Sequence, residues 1–388
     1  AAHAAFVETV FADLSTLTFG HDTSSDTRSN MPQRLGDYEL LEVLGRGGMG
    51  VVYKALQSSA NRLVALKVIK PELLSQLSPD DRKNVLARFR NEVKAAAQLE
   101  HDHVVTVYDV GESDGQPYYA MRYVEGESLR DKLSDGPLAP MVAARYLQQV
   151  ASALAEAHAM GILHRDLKPH NVMVDAKSDR AMLADFGLAK LPRTDHALAL
   201  TESPHLDQEL TKAEVALGAP AYMSPEQIVD AGKVTTAADI YSLGATLYHL
   251  LTGRPPFQAS SALKTFEQVQ NVEPVSPREL NPDVPIDLDT ICLKCLEKQQ
   301  HQRFSSSAEV ADRLARVRRG EPIPERPVSN LEHAWRWCKR NPIVSGLIAA
   351  IILVFVVGLT GMSYFALSSW RRANELTTLY GEKEEIEH

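Results

Sequence analysis

The sequence predicts an α+β fold in two lobes, the first rich in strands and the second helical. Three observations predict it. Short β-branched and aromatic runs crowd residues 37–124, helical periodicity takes over across 125–318, and a Gly cluster interrupts the first strand pair. The 388 residues are 44% hydrophobic and 23% charged, ordinary for one or two folded domains. A net charge of −9 argues against a nucleic-acid binder, which carries a basic surplus.

Residues 1–36 read as a disordered or weakly helical segment, Ala-rich at first and then polar through "GHDTSSDTRSN". "YELLEVLGRGGMGVVYKAL" and "LVALKVIK" then give a hairpin and a third strand. "SPDD" at Ser78–Asp81 starts a helix, with a hydroxyl cap, Pro in the first turn and acids at the positive dipole end. Val85, Phe89, Val93 and Ala96 give it an apolar stripe, and two more strands follow in "VVTVYDV" and "PYYAMRYV".

The second lobe opens with a helix whose stripe is Leu147, Val150 and Leu154 and whose exit is Gly161. Further on, Ser306 and Glu309 form a capping box, and Cys292 and Cys295 read as half-buried helix residues rather than a metal or redox pair.

A juxtamembrane linker over 319–341 leads to a single transmembrane helix over 342–368. Ile343–Leu367 holds 25 residues without a charge, about 37 Å of helix against a core of about 30 Å. Trp335, Trp337, Tyr364 and Trp370 flank it as interfacial aromatics. Residues 369–388 read as the start of an extracytoplasmic segment that the chain cuts short, which places the two lobes in the cytoplasm.

Phosphoryl transfer needs the phosphates held, their charge neutralised and the attacking hydroxyl aimed. Gly45, Gly47 and Gly50, followed by Val52, fit G-x-G-x-x-G-x-V, whose backbone folds close over phosphate oxygens. A strand rather than a helix follows these glycines, so a dinucleotide fold is excluded. Lys67 of "VALK" offers an amine for phosphate, and Glu92 on the next helix is its candidate partner. In "ILHRDLKPHN", Asp166 can take or orient a hydroxyl proton, Lys168 can neutralise a γ-phosphate and Asn171 can ligate a cation. Asp185 of "LADFG" is a second hard oxygen ligand. Turn chemistry alone does not require Lys67, Asp166, Asn171 and Asp185 together in that order.

With "SPE" at Ser224–Glu226 and "DIYSLG" at Asp239–Gly244, the chain resembles a bacterial eukaryotic-type serine/threonine protein kinase from Tyr38 to Val317. The resemblance implies a two-lobed protein kinase fold that takes ATP with Mg²⁺, or Mn²⁺ as the alternative, and phosphorylates Ser/Thr of protein substrates. It implies Asp166, Lys168, Lys67 and Glu92 as catalytic residues and Asn171 and Asp185 as metal ligands. The implied ATP site comprises Leu44, Gly45, Arg46, Gly47, Gly48, Met49, Gly50, Val51, Val52, Ala65 and Lys67 in the first lobe. It is completed by Met121 as gatekeeper, Tyr123 and Val124 on the hinge, and Met173. Asp239 would brace the catalytic loop, Arg303 would pair with Glu226, and Arg165 would receive a phosphorylated loop residue, with Thr211, Thr201, Ser203 and Thr194 as candidates. The membrane helix and the run "RPVSNLEHAWRWCKRNP" resemble planctomycete members, which implies a single-pass inner-membrane protein and a homodimer for trans-autophosphorylation.

Departures motivate an alternative, a membrane-tethered pseudokinase that binds ATP and partners as a scaffold. Ala219 stands where the family has Thr or Ser, Ala213 removes one of two usual Thr, and Arg122 opens the hinge where an acid is common.

Overall fold

The structure, a computed structural model, describes residues 34–47, 50–71, 78–113, 115–186, 220–230, 234–326, 359–365 and 369–370, without the side chains of Pro79, Asp81 and Arg88. The chain divides into two units, Ala1–Arg319 and Gly320–His388.

In the first unit, six antiparallel strands form one sheet. They are β1 (Arg34–Leu35), β2 (Tyr38–Arg46), β3 (Gly50–Gln57), β4 (Arg62–Ile69), β5 (Val107–Ser113) and β6 (Gln116–Arg122), in the order β1-β2-β3-β4-β6-β5. The sheet begins at Arg34, ahead of the expected boundary at 37. Alternation along the strands separates its two faces. Tyr38, Ala55, Val64, Leu66, Val68, Tyr118 and Ala120 bury one face as an apolar cluster. The other face carries a row set by register: Val52 opposes Lys67, and Lys67 opposes Tyr119. One step along, Lys54 opposes Ala65, which opposes Met121. The nucleotide-holding candidates Val52, Ala65, Lys67 and Met121, from three strands, thus share one side.

Helix α1 (Pro79–Ala96) packs Phe89, Val93 and Ala96 inward, and the Phe89 ring lies 6.0 Å from that of Tyr119. Beyond β6, β7 (Gly126–Ser128), β8 (Val172–Asp175) and β9 (Ala181–Leu183) form a small separate sheet. Helix α2 (Leu129–Lys132) is closed by a Ser128–Asp131 capping box.

Helices α3 (Pro140–Ala159), α4 (Pro225–Val229), α5 (Thr236–Thr252), α6 (Ala262–Asn271), α7 (Pro277–Leu280), α8 (Ile286–Cys295) and α9 (Ser307–Arg318) build the second lobe. Helix α3 packs against α5 and α9. Its predicted stripe, Leu147, Val150 and Leu154, has no exposed area, and Gly161 supplies the left-handed exit at φ +73°. Every residue of α5 from Ala238 to Leu251 is buried, as a helix apolar nearly all round requires.

Two local expectations change. Glu309 donates its backbone N–H to Ser306 Oγ at 3.2 Å, but its carboxylate accepts from the amide and hydroxyl of Ser305, not from Ser306. Cys292 and Cys295 are fully buried rather than half-buried, because α8 presses them onto α5 at Gly244.

In the second unit, the described residues 359–365 are helical and expose Met362, Tyr364 and Phe365. Among the described residues no helix is long and apolar enough to cross a membrane. The expected span 342–368 lies outside the described residues except for 359–365, as do the linker over 327–341, the N-terminal segment 1–33, Gly48, Met49, Ala219 and all four candidate phosphorylated hydroxyls.

Candidate active site

The β2–β3 hairpin sets the upper wall. Gly45 pairs with Val52 and Arg46 with Val51, and Gly47 N–H donates to Gly50 O at 2.9 Å. Gly50 admits no side chain, since a Cβ there would lie 2.3 Å from the Val68 carbonyl oxygen. Ala65, Met121 and Val124 are buried behind the hairpin, and Tyr123 takes the Lys54 ammonium 5.0 Å from its ring centre. Met173 on β8 comes from the second lobe.

The catalytic loop runs from α3 to β8 and is fixed from below by Asp239. This fully buried carboxylate accepts from His164 N–H at 2.8 Å, Arg165 N–H at 2.7 Å and His158 Nε2 at 2.8 Å. Burial works against its charge. The hydrogen bond from His158 and the neighbouring imidazoles outweigh burial and hold the carboxyl below its ordinary value. His164 Nε2 donates to Ala184 O at 3.0 Å, so Nδ1 is the acceptor for Asp166 N–H at 3.3 Å. Burial pushes the His164 imidazole down, in keeping with that neutral tautomer. Gln227 Nε2 adds a bond to Arg165 O at 3.0 Å.

Two of the four described non-glycine residues with positive φ are here, Arg165 at +64° and Asp185 at +55°. A left-handed backbone at a non-glycine residue costs about 1 kcal/mol or more and persists where surrounding bonds hold it. The Asp239 and Gln227 bonds do so at Arg165.

Lys168 Nζ lies 3.0 Å from Asp166 Oδ2. Asn171 Nδ2 donates to Asp166 O at 2.7 Å and to Asp166 Oδ2 at 3.1 Å. The Asn171 amide oxygen is thereby turned away from Asp166 and makes no hydrogen bond among the described residues. Ala184 N–H donates to Asn171 O at 2.8 Å, which ties β9 and the following Asp185 to the same loop.

Lys67 behaves differently from the sequence expectation. Its Nζ lies 2.7 Å from Asp185 Oδ2, whereas Glu92 Oε1 lies 3.8 Å from Arg165. The expected Lys67–Glu92 pair is not formed: the amine sits on Asp185, and the α1 carboxylate lies beside the Arg165 guanidinium. Burial raises the Asp185 carboxyl, but the charge and hydrogen bond of Lys67 together with a bond from Tyr119 bring it below its ordinary value. It is therefore an anion near neutral pH.

Among the described residues no group of three or more His, Cys, Asp or Glu could hold a metal by itself. One part-exposed carboxylate and one uncommitted amide oxygen suit a hard cation that brings its other ligands from phosphate and water, as Mg²⁺ does.

Arg303 closes the lower end. Its guanidinium is fully buried and grips Glu226 in two bonds of 2.7 and 2.9 Å. The carbonyls of Glu297, Ala237 and Lys298 take its other donors. Three participants were absent from the sequence reading: Tyr119, His158 and Gln227. Strand register opposite Lys67 is the signal that could have found Tyr119.

Residues 38–314 match the family described as protein kinase domain. The chain is 36% identical over 302 residues to the serine/threonine-protein kinase PknB of Mycobacterium leprae, a match that covers 76% of this chain and 45% of that one. It is 38% identical over 289 residues to the serine/threonine-protein kinase PknD of Mycobacterium tuberculosis, covering 74% and 40%. The chain thus spans less than half the length of these curated relatives. Among solved structures, it is similar to the kinase domain of PknI of M. tuberculosis, with a TM-score of 0.58, 28% identity and coverage of 75% of this chain and 100% of that chain. These relatives are mycobacterial and lend no support to the planctomycete resemblance.

Proposed function

The chain belongs to the protein kinase domain family, and from that premise we propose that it is a serine/threonine protein kinase that moves the γ-phosphate of ATP to protein hydroxyls, its own included. One observation carries this: Lys168 and Asn171 both bond the Asp166 carboxylate, and the Asn171 backbone ties that loop to the end of β9, after which Asp185 meets Lys67 of β4.

Asp166 accepts or orients the proton of the incoming hydroxyl, and its bond from Asn171 fixes the carboxylate plane. Lys168 stands beside it to offset charge on the γ-phosphate. Lys67 faces the glycine hairpin across β3 and supplies an amine for the inner phosphates. Asn171 and Asp185 would hold Mg²⁺, or Mn²⁺, which when bound supplies charge neutralisation on phosphate oxygens. Arg165 carries Glu92 at 3.8 Å. A phosphate on Thr211, Thr201, Ser203 or Thr194 docking there would compete with that carboxylate.

The uncharged run Ile343–Leu367 supports a single membrane span; anchoring in a bacterial inner membrane with the kinase lobes cytoplasmic, and pairing of two copies for trans-phosphorylation, complete the proposal. Alkaline extraction of membranes from producing cells checks the anchor; complete release of the chain would oppose it.

The central test is phosphate incorporation from labelled ATP with Mg²⁺ into the chain and a generic protein substrate. Asp166→Asn should lower incorporation at least about a hundredfold and keep nucleotide binding. Equal labelling by both proteins would remove Asp166 from the chemistry. Nucleotide binding by the wild type without any incorporation would favour the pseudokinase.

A further inference from the structure

Tyr119 lies on β6, directly opposite Lys67 of β4, and is 1% exposed. Its ring packs near Phe89 of α1, and its hydroxyl donates to Asp185 Oδ1 at 2.5 Å. Lys67 Nζ holds the other oxygen, Oδ2, at 2.7 Å and sits 5.9 Å from the Tyr119 ring centre. Packing alone does not call for a hydroxyl at this position. A buried phenol costs free energy unless its O–H finds a partner, and here the partner is the carboxylate assigned to the cation. Asp185 also holds a left-handed backbone at φ +55°, a strained conformation that persists where surrounding contacts hold the residue.

We infer that Tyr119 is a positioning residue for the metal-binding carboxylate: its hydroxyl pins Asp185 Oδ1 while Lys67 holds Oδ2, which stops the carboxylate rotating and keeps it in one pose for the cation it would ligate. The inference rests on the kinase assignment of Asp185 but adds a residue to it. The phenol bonds an anion, and such bonds are worth more than neutral ones.

The test is Mn²⁺ binding by the full chain, followed as loss of the free-ion electron paramagnetic resonance signal, with a non-hydrolysable ATP analogue present. Tyr119→Phe, which removes one oxygen and keeps the ring, should weaken Mn²⁺ binding about tenfold, equivalent to about 1.4 kcal/mol. Affinity for the analogue without metal should stay unchanged. In an Asp185→Asn background the same substitution should add nothing, since its effect runs through that carboxylate. Thermal melting without ligands checks folding, and Tyr119→Met repeats the deletion with a flexible side chain. Unchanged Mn²⁺ affinity in Tyr119→Phe, or an equal loss in the Asp185→Asn background, would overturn the inference and leave the kinase assignment standing. A wild-type chain that binds no Mn²⁺ with the analogue would overturn both.

Discussion

His249 is 3% exposed on α5, and its Nδ1 meets the Tyr222 hydroxyl at 2.5 Å. Burial first, and then the positive charge of Arg130, lower its pKa from 6.5 to about 4. Between those two values the unfolded chain binds the proton and the folded one does not, so stability rises with pH there. Acidification from pH 6.5 should therefore remove stability on the order of 1–3 kcal/mol from this residue, levelling off below about pH 4. His164 shifts in the same direction and adds to the loss. Urea unfolding across this window, compared with His249→Asn, measures the contribution. The variant should show a shallower fall, and an identical slope would contradict the assignment. At Arg303 the logic is different: the cation stays charged and tolerates burial because all five of its N–H donors are satisfied.

Elements were legible where one short stretch of chain decides them. Strands β2 to β6 follow from β-branched runs, α1 from Ser78 and Pro79, and the end of α3 from Gly161. The braced loop was also legible, because Asp239 and Arg303 stand at motif positions that the structure joins to Arg165 and Glu226. What failed were choices between competing partners. Lys67 could reach Glu92 on α1 or Asp185 after β9. The selection lies in how α1 and β9 pack against β4, which no local pattern encodes. Tyr119 carries no local signal within the run "PYYAMRYV", because its polar contact spans 66 residues and depends on sheet register. The Ser305–Glu309 bond was missed for a smaller reason: three consecutive serines offer the carboxylate equivalent donors.

At the scale of the molecule, strands and helices of the first unit act as two supports that present charge to one place. The sheet delivers Lys67 and Tyr119 from its polar face while its other face is spent on the apolar cluster. The helical lobe delivers Asp166, Lys168 and Asn171 on a loop held by a buried carboxylate. Convergence of these groups on a cation-bound triphosphate is the central claim. Calorimetric titration of the full chain with ATP, in Mg²⁺ and in EDTA, tests it most directly when wild type and Asp185→Asn are run side by side. The account predicts that Mg²⁺ tightens ATP binding about tenfold or more in the wild type and hardly at all in Asp185→Asn. Equal Mg²⁺ enhancement in both proteins, or none in the wild type, would contradict it.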